Sequence, residues 1–274
     1  MNINIDKMIQ TGFKHNICED AVLIGDSPFP YIIVADGCSS SHETHIGSNI
    51  LAKSAEYVLT NRVENNEDMK DIGIEIINRA WNIAKQIPVE KEALDSTLLM
   101  SWVIGDKLFY VIFGDGAIFY KNNGQDIIQE YEKEDNMPDY LSYFLSDSRK
   151  KLYYEKSTSL KKDVFVKNSI FNIDYKEDIF QYEIKSISIS HLEHFIISTD
   201  GICSFWSGDD YLKVESLGVT NFKNLTGDFI ERRIKRIIKI NKKNDVYHND
   251  DIGMAGFSFN KDSEKVKGDE NEQI

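Results

Sequence analysis

Residues 31–41, which read YIIVADGCSSS, decide how the rest of the chain is interpreted. The apolar and β-branched run at the start of this stretch predicts a buried strand. The strand ends at Asp36, and the glycine after it lets the backbone approach a ligand closely. Residues 195–201 repeat the construction with an apolar run that ends at Asp200 and a glycine. Two carboxylates at the ends of buried strands indicate a shared cation site, because clustered acids repel one another unless a cation neutralises them.

Composition and charge exclude several classes of protein. The chain has 274 residues, of which 41% are hydrophobic, and a net charge of −13. This charge argues against nucleic acid as a partner, because proteins that bind it present a basic surface. No apolar run reaches the roughly 18 residues that cross a bilayer, so we expect no membrane partner. The first residues lack the pattern of a signal peptide, which makes the cytoplasm the default location.

The cysteines indicate neither a disulfide scaffold nor a structural zinc site. Cys18, Cys38 and Cys203 are odd in number and form no CxxC pair. A disulfide framework needs an even set at characteristic spacing, and structural zinc sites use paired cysteines or histidines.

The first third of the chain predicts a hairpin and two helices. Apolar runs on either side of a proline-containing turn at residues 26–30 resemble an antiparallel hairpin, which would bring Glu19 near Asp36. Apolar residues recur at helical spacing over residues 45–63 and again over 68–87. The two helices are amphipathic, and we expect them to cover one face of a sheet.

The middle of the chain predicts a meander of antiparallel strands. Residues 95–104 and 107–113 are strand-like and flank a Gly-Asp turn. A further strand over residues 117–120 leads into an Asn-Asn-Gly turn at 122–124. Asp115 lies between two glycines at the end of the second of these strands and adds a third carboxylate at a strand end.

The segments without helical or strand periodicity indicate how the chain is divided. Residues 131–178 are rich in Tyr, Lys, Ser and Asp without sustained periodicity, and we interpret them as an elaborated loop or subdomain near the site. The chain is therefore predicted to form a single domain over residues 1–260. The charged tail at 261–274 is predicted to be disordered.

A basic helix near the end of the chain has two interpretations. Residues 228–240 read DFIERRIKRIIKI, with apolar residues at helical spacing. Such a helix can be a calmodulin-like target or a membrane-surface segment. It can also be a final helix that packs on the sheet with its basic face in solvent, and we favour this second interpretation.

Acidic side chains at strand ends recur along most of the chain. They are Glu19, Asp20, Asp36, Asp115, Asp200 and Asp250 or Asp251. A single Asp-Gly pair is more often a turn than a ligand, but a set of them next to apolar strands is typical of a cation site. Oxygen ligands without histidine partners suit magnesium or manganese rather than zinc or copper. A pair of such ions can generate hydroxide and hold both oxygens of an in-line phosphoryl displacement.

Taken together, these motifs resemble the metal-dependent protein phosphatases of the protein phosphatase 2C type, in the bacterial branch. The resemblance covers residues 12–259. Its motifs occur in the family's order as CEDA (18–21), ADGCSSS (35–41), DSTLL (95–99), FGDGAIF (113–119), STDGI (198–202) and NDDIG (249–253). The resemblance implies an α+β fold built as a four-layer αββα sandwich, in which two antiparallel sheets are each flanked by a helix pair.

The resemblance also implies a site for two divalent cations, manganese or magnesium, in a cleft at one sheet edge. Asp36 would bridge both ions, and the carbonyl of Gly37 would bind one of them. Asp200 and Asp250 would complete the shell of the first ion. We choose Asp250 over Asp251 because the family's last motif is Asp followed by Asn or Asp and then the strand.

Three further residues receive catalytic roles from the resemblance. Glu19 would reach the second ion through water, and Asp20 would orient waters beside it. A hydroxide that bridges the ions would then attack phosphorus directly. His15 stands where the family usually has an arginine that clamps phosphate, and a histidine offers fewer donors and a pH-dependent charge.

The implied function is dephosphorylation of phosphoserine and phosphothreonine in proteins. The expected partner is a phosphoprotein substrate, and a cognate serine/threonine kinase is a candidate partner. Departures from the family pattern at His15, Cys38, Ser39 and Ser204 keep open a binding or regulatory module that has lost turnover. A small-molecule phosphohydrolase would share the site but act on a different substrate.

Overall fold

The structure of the protein is a computed structural model that describes residues 2–64, 69–133, 138–156, 160–166, 169–175, 182–208 and 210–260. The strands in this part of the chain are β1 (Asn2–Gln10), β2 (Ala21–Gly25), β3 (Tyr31–Gly37), β4 (Ser96–Ile104), β5 (Lys107–Phe113), β6 (Gly116–Asn122), β7 (Gln125–Lys133), β8 (Leu160–Val166), β9 (Ser169–Tyr175), β10 (Lys185–Ser188), β11 (Leu192–Ser198), β12 (Phe205–Ser207), β13 (Asp210–Tyr211), β14 (Tyr247–His248) and β15 (Ile252–Asn260). The α-helices are α1 (Thr44–Glu64), α2 (Ile72–Ala84), α3 (Asp147–Lys156), α4 (Val214–Leu217) and α5 (Phe229–Lys242).

Strand β3 lies inside an antiparallel five-stranded sheet with the order β10-β5-β4-β3-β2. It pairs with β2 on one side, where Ala35 lies opposite Ala21, and with β4 on the other, where Asp36 lies opposite Thr97. The predicted hairpins β2–β3 and β4–β5 are confirmed. The second one turns at Gly105, whose φ of +60° favours glycine.

The second large sheet is antiparallel and has seven strands in the order β1-β15-β11-β6-β7-β8-β9. Its edge strand β1 is not predicted from the sequence. The first residues are considered only as a possible signal peptide. The carboxylate of Asp6 in β1 accepts hydrogen bonds from the backbone NH groups of Ile230 at 2.6 Å and Glu231 at 3.2 Å. Strand β1 therefore also fixes the first turn of α5, where a negative charge is favourable.

The segment 131–178 contains more regular structure than its lack of periodicity indicates. Its described parts hold the end of β7, helix α3 and the hairpin of β8 and β9, and β8 pairs with β7. These strands extend the seven-stranded sheet. The predicted extent of a single domain over residues 1–260 stays a prediction, and the tail at 261–274 lies outside the described residues.

Both faces of the sheets are covered, which produces four layers. Ile33 and Ala35 of β3 face the core beneath α1 and α2, whereas Ile32 and Val34 face the core between the sheets, which also contains Phe195. A third core lies between the seven-stranded sheet and α5. Burial on both faces explains why β3 reads as an unbroken apolar run. The predicted αββα sandwich is confirmed, with one long helix and the single-turn α4 on the second flank instead of two long helices.

Helix α5 packs on its sheet as we favoured from the sequence. Phe229, Ile230, Ile234 and Ile237 are buried beneath it, and its basic residues lie on the other face. Within the described residues, no helix is both long and apolar enough to span a membrane.

A third, small sheet with the order β13-β12-β14 was not predicted from the sequence. In it, Phe205 lies opposite His248 and Trp206 lies opposite Tyr247. Strand β12 follows the turn that begins at Asp200, and β14 immediately precedes Asn249 and Asp250. The small sheet therefore joins two segments that carry candidate ligands.

His194 should make the stability of the fold depend on pH. Its side chain is buried in β11 with 1% of its surface exposed and packs edge-on against Phe222. Burial, helped by Lys121, lowers the pKa of His194 to about 3. Between the ordinary pKa of about 6.5 and pH 3, only the unfolded chain takes up this proton, so the stability due to neutral His194 is lost as pH falls, by up to about 1.4 kcal/mol per pH unit. Replacing His194 with Phe should remove that contribution.

The measurement is the free energy of unfolding in urea at several pH values from 7 to 4.5. The exposed His191, replaced by Gln, is the control and should keep the wild-type slope. A His194→Phe variant with the wild-type slope would contradict this account.

Candidate metal centre

The carboxyl groups of Asp36 and Asp200 come together from the ends of β3 and β11. They lie within hydrogen-bonding range of each other. Loss of hydration, followed by the charges of Asp20 and Asp200, raises the pKa of Asp36 well above its ordinary value. Part of the surface of Asp200 is exposed, yet loss of hydration on the side that faces the cleft and the charge of Asp250 raise its pKa as well. The two residues that the sequence singles out first therefore form one acidic cluster.

Asp20 is buried beside this pair. Its Oδ2 accepts a hydrogen bond of 2.9 Å from the hydroxyl of Thr199, which in turn accepts one of 2.9 Å from the NH of Gly253. Burial raises the pKa of Asp20, and the hydrogen bond from Thr199 opposes the shift only in part. Within the described residues, the buried Oδ1 of Asp20 has no hydrogen-bond partner. An unpaired carboxylate oxygen in an acidic cleft fits a site that takes a cation or a water bound to one.

Glu19 ties the start of β2 to the end of β3. Its carbonyl accepts hydrogen bonds from the NH of Gly37 at 3.3 Å and the hydroxyl of Ser48 at 2.5 Å. Its carboxylate accepts a hydrogen bond of 2.7 Å from Thr44 at the start of α1. A side chain at position 37 would place its Cβ 2.9 Å from atoms of Thr44, so only glycine fits there. The expected proximity of Glu19 to the end of β3 is confirmed.

The neighbours Asp250 and Asp251 face different surroundings. Asp251 is 1% exposed and accepts hydrogen bonds from the NH groups of Gly12 at 2.7 Å and Glu19 at 2.6 Å. The side chain of Asp250 is 40% exposed, and its charge reaches Asp36 and Asp200. The carboxylate of Asp251 is occupied by the backbone of the N-terminal loop, and Asp250 stays the predicted ligand.

His15 lies between these two carboxylates. Its Nδ1 is 3.0 Å from Oδ2 of Asp251, and its Nε2 is 3.5 Å from Oδ1 of Asp250. Burial alone would lower the pKa of His15, but Asp251, Asp250 and Glu19 outweigh it and raise the pKa. One ligand atom from each of the three side chains lies within 4.8 Å of the others, which is close enough to hold a cation. The raised pKa instead favours the imidazolium as the counter-ion of the two aspartates.

Ser204 links the two segments that carry Asp200 and Asp250. Its hydroxyl donates to the carbonyl of Gly201 at 2.7 Å and accepts from the NH of Asp250 at 3.1 Å. A side chain on Gly201 would place its Cβ 1.6 Å from the carbonyl oxygen of Asp251. Ser204, which departs from the family pattern, therefore holds the turn of Asp200 close to the segment of Asp250.

Asp115 lies at the same end of the sheets and has acidic neighbours that the sequence does not reveal. Burial raises the pKa of Asp115 well above its ordinary value, and the charges of Asp200, Glu132 and Asp139 add to the effect. Glu132 and Asp139 belong to the region that the sequence leaves without periodicity, and no motif marks them.

Asp95 holds the loop that follows β3. Its backbone carbonyl accepts from the NH of Cys38 at 2.8 Å, and its carboxylate accepts from the hydroxyls of Ser41 at 3.0 Å and Ser142 at 2.5 Å. The guanidinium of Arg149 in α3 also donates to this carboxylate, at 2.8 and 2.9 Å. Asp95 stands in a family motif, but only the structure shows that Arg149 reaches it.

The family match and the geometry agree. The sequence model of the family described as Protein phosphatase 2C matches residues 14–239, which is most of the chain. The chain belongs to the protein phosphatase 2C family. This assigns it to the metal-dependent protein serine/threonine phosphatases and confirms the enzyme class that the motifs predict. A comparison with curated protein sequences finds no significant match.

Solved structures of bacterial phosphatases share the fold. The serine/threonine phosphatase Stp1 from Staphylococcus aureus has a TM-score of 0.61 and 13% identity, over 95% of this chain and 96% of that one. A bacterial serine phosphatase has a TM-score of 0.59 and 13% identity, over 95% of this chain and 99% of that one. The serine/threonine phosphatase PstP/Ppp from Mycobacterium tuberculosis has a TM-score of 0.52 and 13% identity, over 94% and 99%. At this identity the likeness concerns the fold.

Substitutions of the neighbouring aspartates should affect stability differently. Asp251→Asn replaces an acceptor of buried NH groups with a side chain that also carries donors, and should cost about 1.5–3 kcal/mol of unfolding free energy. Asp250→Asn removes a negative charge from a repelling cluster and should cost less than about 0.5 kcal/mol or stabilise. Urea unfolding with a chelator present measures both variants. Equal losses would show that Asp251 has no special structural role.

Proposed function

We propose that this protein dephosphorylates phosphoserine and phosphothreonine in protein substrates with two divalent cations, manganese or magnesium. The ligands in this proposal are the carboxylates of Asp36, Asp200, Asp250 and Glu19, the last through water, and the carbonyl of Gly37. The observation that carries the proposal is the convergence of Asp36 and Asp200, whose pKa values are raised by lost hydration and by neighbouring acids. Such a cluster is unfavourable by itself and becomes favourable around positive charge.

The chemistry of the donors supports hard cations. The proposed ligands are oxygen atoms, which magnesium and manganese prefer, and the chain offers no paired cysteines for a softer metal. The free Oδ1 of Asp20 provides one more acceptor at the cleft. When bound, the pair of cations supplies Lewis acidity and lowers the pKa of water.

Residues of the chain position and neutralise the reacting groups. Thr44 orients the carboxylate of Glu19, and Thr199 orients that of Asp20, so both acceptors face the cleft in fixed directions. A water held between such acceptors is oriented for attack on phosphorus. When protonated, His15 supplies a positive charge where the family usually has an arginine, and it is held against Asp250 and Asp251. In this proposal, His15 orients Asp250 through Nε2 and Asp251 through Nδ1, and it acts on the phosphate through its charge rather than as a free donor.

The proposed setting is a reducing compartment, the cytoplasm, with a phosphoprotein substrate and a cognate serine/threonine kinase. The three cysteines Cys18, Cys38 and Cys203 are free thiols, which is typical of proteins in reducing surroundings. The kinase is proposed because a phosphatase of this class needs an enzyme that supplies phosphoserine or phosphothreonine.

An Asp36→Asn substitution tests the metal centre. It should lower kcat/KM for a phosphothreonine peptide at least about 100-fold, on the order of 2.7 kcal/mol in the barrier, because the proposed bridging ligand loses its charge. The matched control is Asp106→Asn in the exposed β4–β5 turn, which should keep wild-type activity. Hydrolysis is measured with manganese, with magnesium and with a chelator, and calorimetry measures cation binding to each variant.

The same assays separate the alternatives. Bound cations without turnover of any phosphomonoester would favour a binding or regulatory module. Faster turnover of a nucleotide than of the phosphopeptide would favour a small-molecule phosphohydrolase. Activity that survives the chelator would contradict the metal centre.

A further inference from the structure

Helix α5 borders a groove that the phosphatase chemistry does not use. Two adjoining depressions of about 430 and 210 Å³ share the lining residues Asn221, Phe222, Lys223, Arg233 and Arg236. Lys121 also lines the larger depression, and Arg232 also lines the smaller one. We name the whole feature the basic groove.

The basic groove lies away from the candidate metal centre. Lys121 is near the end of β6, whereas Asp115 immediately precedes the start of that strand. At about 3.4 Å per residue, the two positions are roughly 20 Å apart along the chain. A ligand of the basic groove is therefore not a ligand of the catalytic cleft.

The charge of the basic groove contrasts with that of the whole protein. Among the described residues that line the two depressions, the cations are Lys121, Lys223, Arg232, Arg233 and Arg236, and the acid is Asp126. The chain as a whole carries a net charge of −13. A concentration of positive charge on such a background attracts negative partners to this one place.

Lys121 forms an ion pair with Glu193 at 3.5 Å, whereas the other cations of the basic groove have no acidic partner among the described residues. The guanidinium of Arg233 donates to the carbonyls of Gly218 and Leu217, which fixes it at the groove wall. Burial and then the neighbouring charge of Arg236 lower the pKa of Arg233. Within the described residues, the side chains of Arg236 and Lys223 form no hydrogen bond or ion pair and are exposed. Their donors are available to an anion.

The shape of the basic groove indicates the kind of anion. Two depressions joined by shared walls fit an extended chain better than a single phosphate or sulfate. The half-buried Phe222 packs against His194 and Phe229 and adds an apolar contact beside the cations. An extended segment with several carboxylates and occasional apolar side chains satisfies both features.

We propose that the basic groove binds an extended acidic segment of a partner protein. A nucleic acid is less suited, because the negative charge of the remaining surface repels a long phosphate backbone. A membrane is less suited, because Phe229, Ile230, Ile234 and Ile237 of α5 face the core and the basic groove is concave.

The test measures binding of a fluorescein-labelled peptide of alternating glutamate and glycine by fluorescence anisotropy. A chelator is present, so that cations at the catalytic cleft do not capture the peptide and failure of the proposed phosphatase chemistry does not affect the result. Arg236→Glu combined with Lys223→Glu should weaken binding at least tenfold. Arg236→Gln combined with Lys223→Gln should weaken it less. Binding by the wild type should fall as salt is raised.

The matched control is Lys239→Glu combined with Lys242→Glu. These lysines lie on the same helix outside the basic groove, so the change in net charge is identical. The control should change the dissociation constant less than about twofold. Thermal unfolding of each variant establishes that it is folded, and the milder glutamine pair provides the test if the glutamate pair is unstable.

Several results would overturn the proposal. They are an equal loss in the control pair, equal binding of a glutamine version of the peptide, or no binding by the wild type at low salt. Groove-dependent binding of phosphatidylserine vesicles or of a single-stranded oligonucleotide in preference to the peptide would assign a different occupant. Binding that appears only after deletion of residues 261–274 would mean that the chain's own acidic residues occupy the basic groove.

Discussion

Repulsion between carboxylates at one end of the two sheets is the constraint on which the surrounding structure depends. Asp36 and Asp200 share a cleft with Asp20 and Asp250, and lost hydration makes the charges of Asp36, Asp20 and Asp200 more costly. Nothing in the folding of either strand requires these acids, since β3 and β11 are held by apolar cores on their faces. The fold therefore supplies the free energy that keeps the acids together, and a cation recovers part of it on binding. Sites that sacrifice stability for chemistry commonly have this character.

Around this cluster, a second group of interactions fixes the backbone segments that carry the acidic residues. The buried carboxylate of Asp251 accepts hydrogen bonds from two NH groups of the N-terminal loop. The carboxylate of Asp95 accepts hydrogen bonds from the loop after β3 and from Arg149. Ser204 joins the turn of Asp200 to the segment of Asp250. His15 and Ser204 depart from the family pattern, and each has local partners: His15 contacts Asp250 and Asp251, and Ser204 contacts Gly201 and Asp250.

Patterns over a few neighbouring residues predict the helices, strands and turns that depend on those neighbours alone. The apolar run before Asp36, the helical periodicity of α1 and α2, and the glycine turn of β4–β5 each follow from neighbours in sequence, and all three are present. Strand β1 and the pairing of β12 with β14 depend on partners more than 30 residues away, so short patterns do not identify them. At the site, motifs located the clustered acids, whereas the separate roles of Asp250 and Asp251 depend on burial, which spacing alone does not specify.

The pairing of β1 with β15 has a consequence for synthesis of the protein. Asn2 lies opposite Asn260, so β1 leaves the ribosome about 250 residues before β15, the partner that its ladder requires. The backbone amides of Gly12 and Glu19 likewise lack their hydrogen-bond acceptor until Asp251 has been synthesised. Such distant contacts slow folding and leave an open edge on the nascent chain in the meantime. The end of the molecule that carries the acidic cluster therefore takes shape only after Asp251 has emerged.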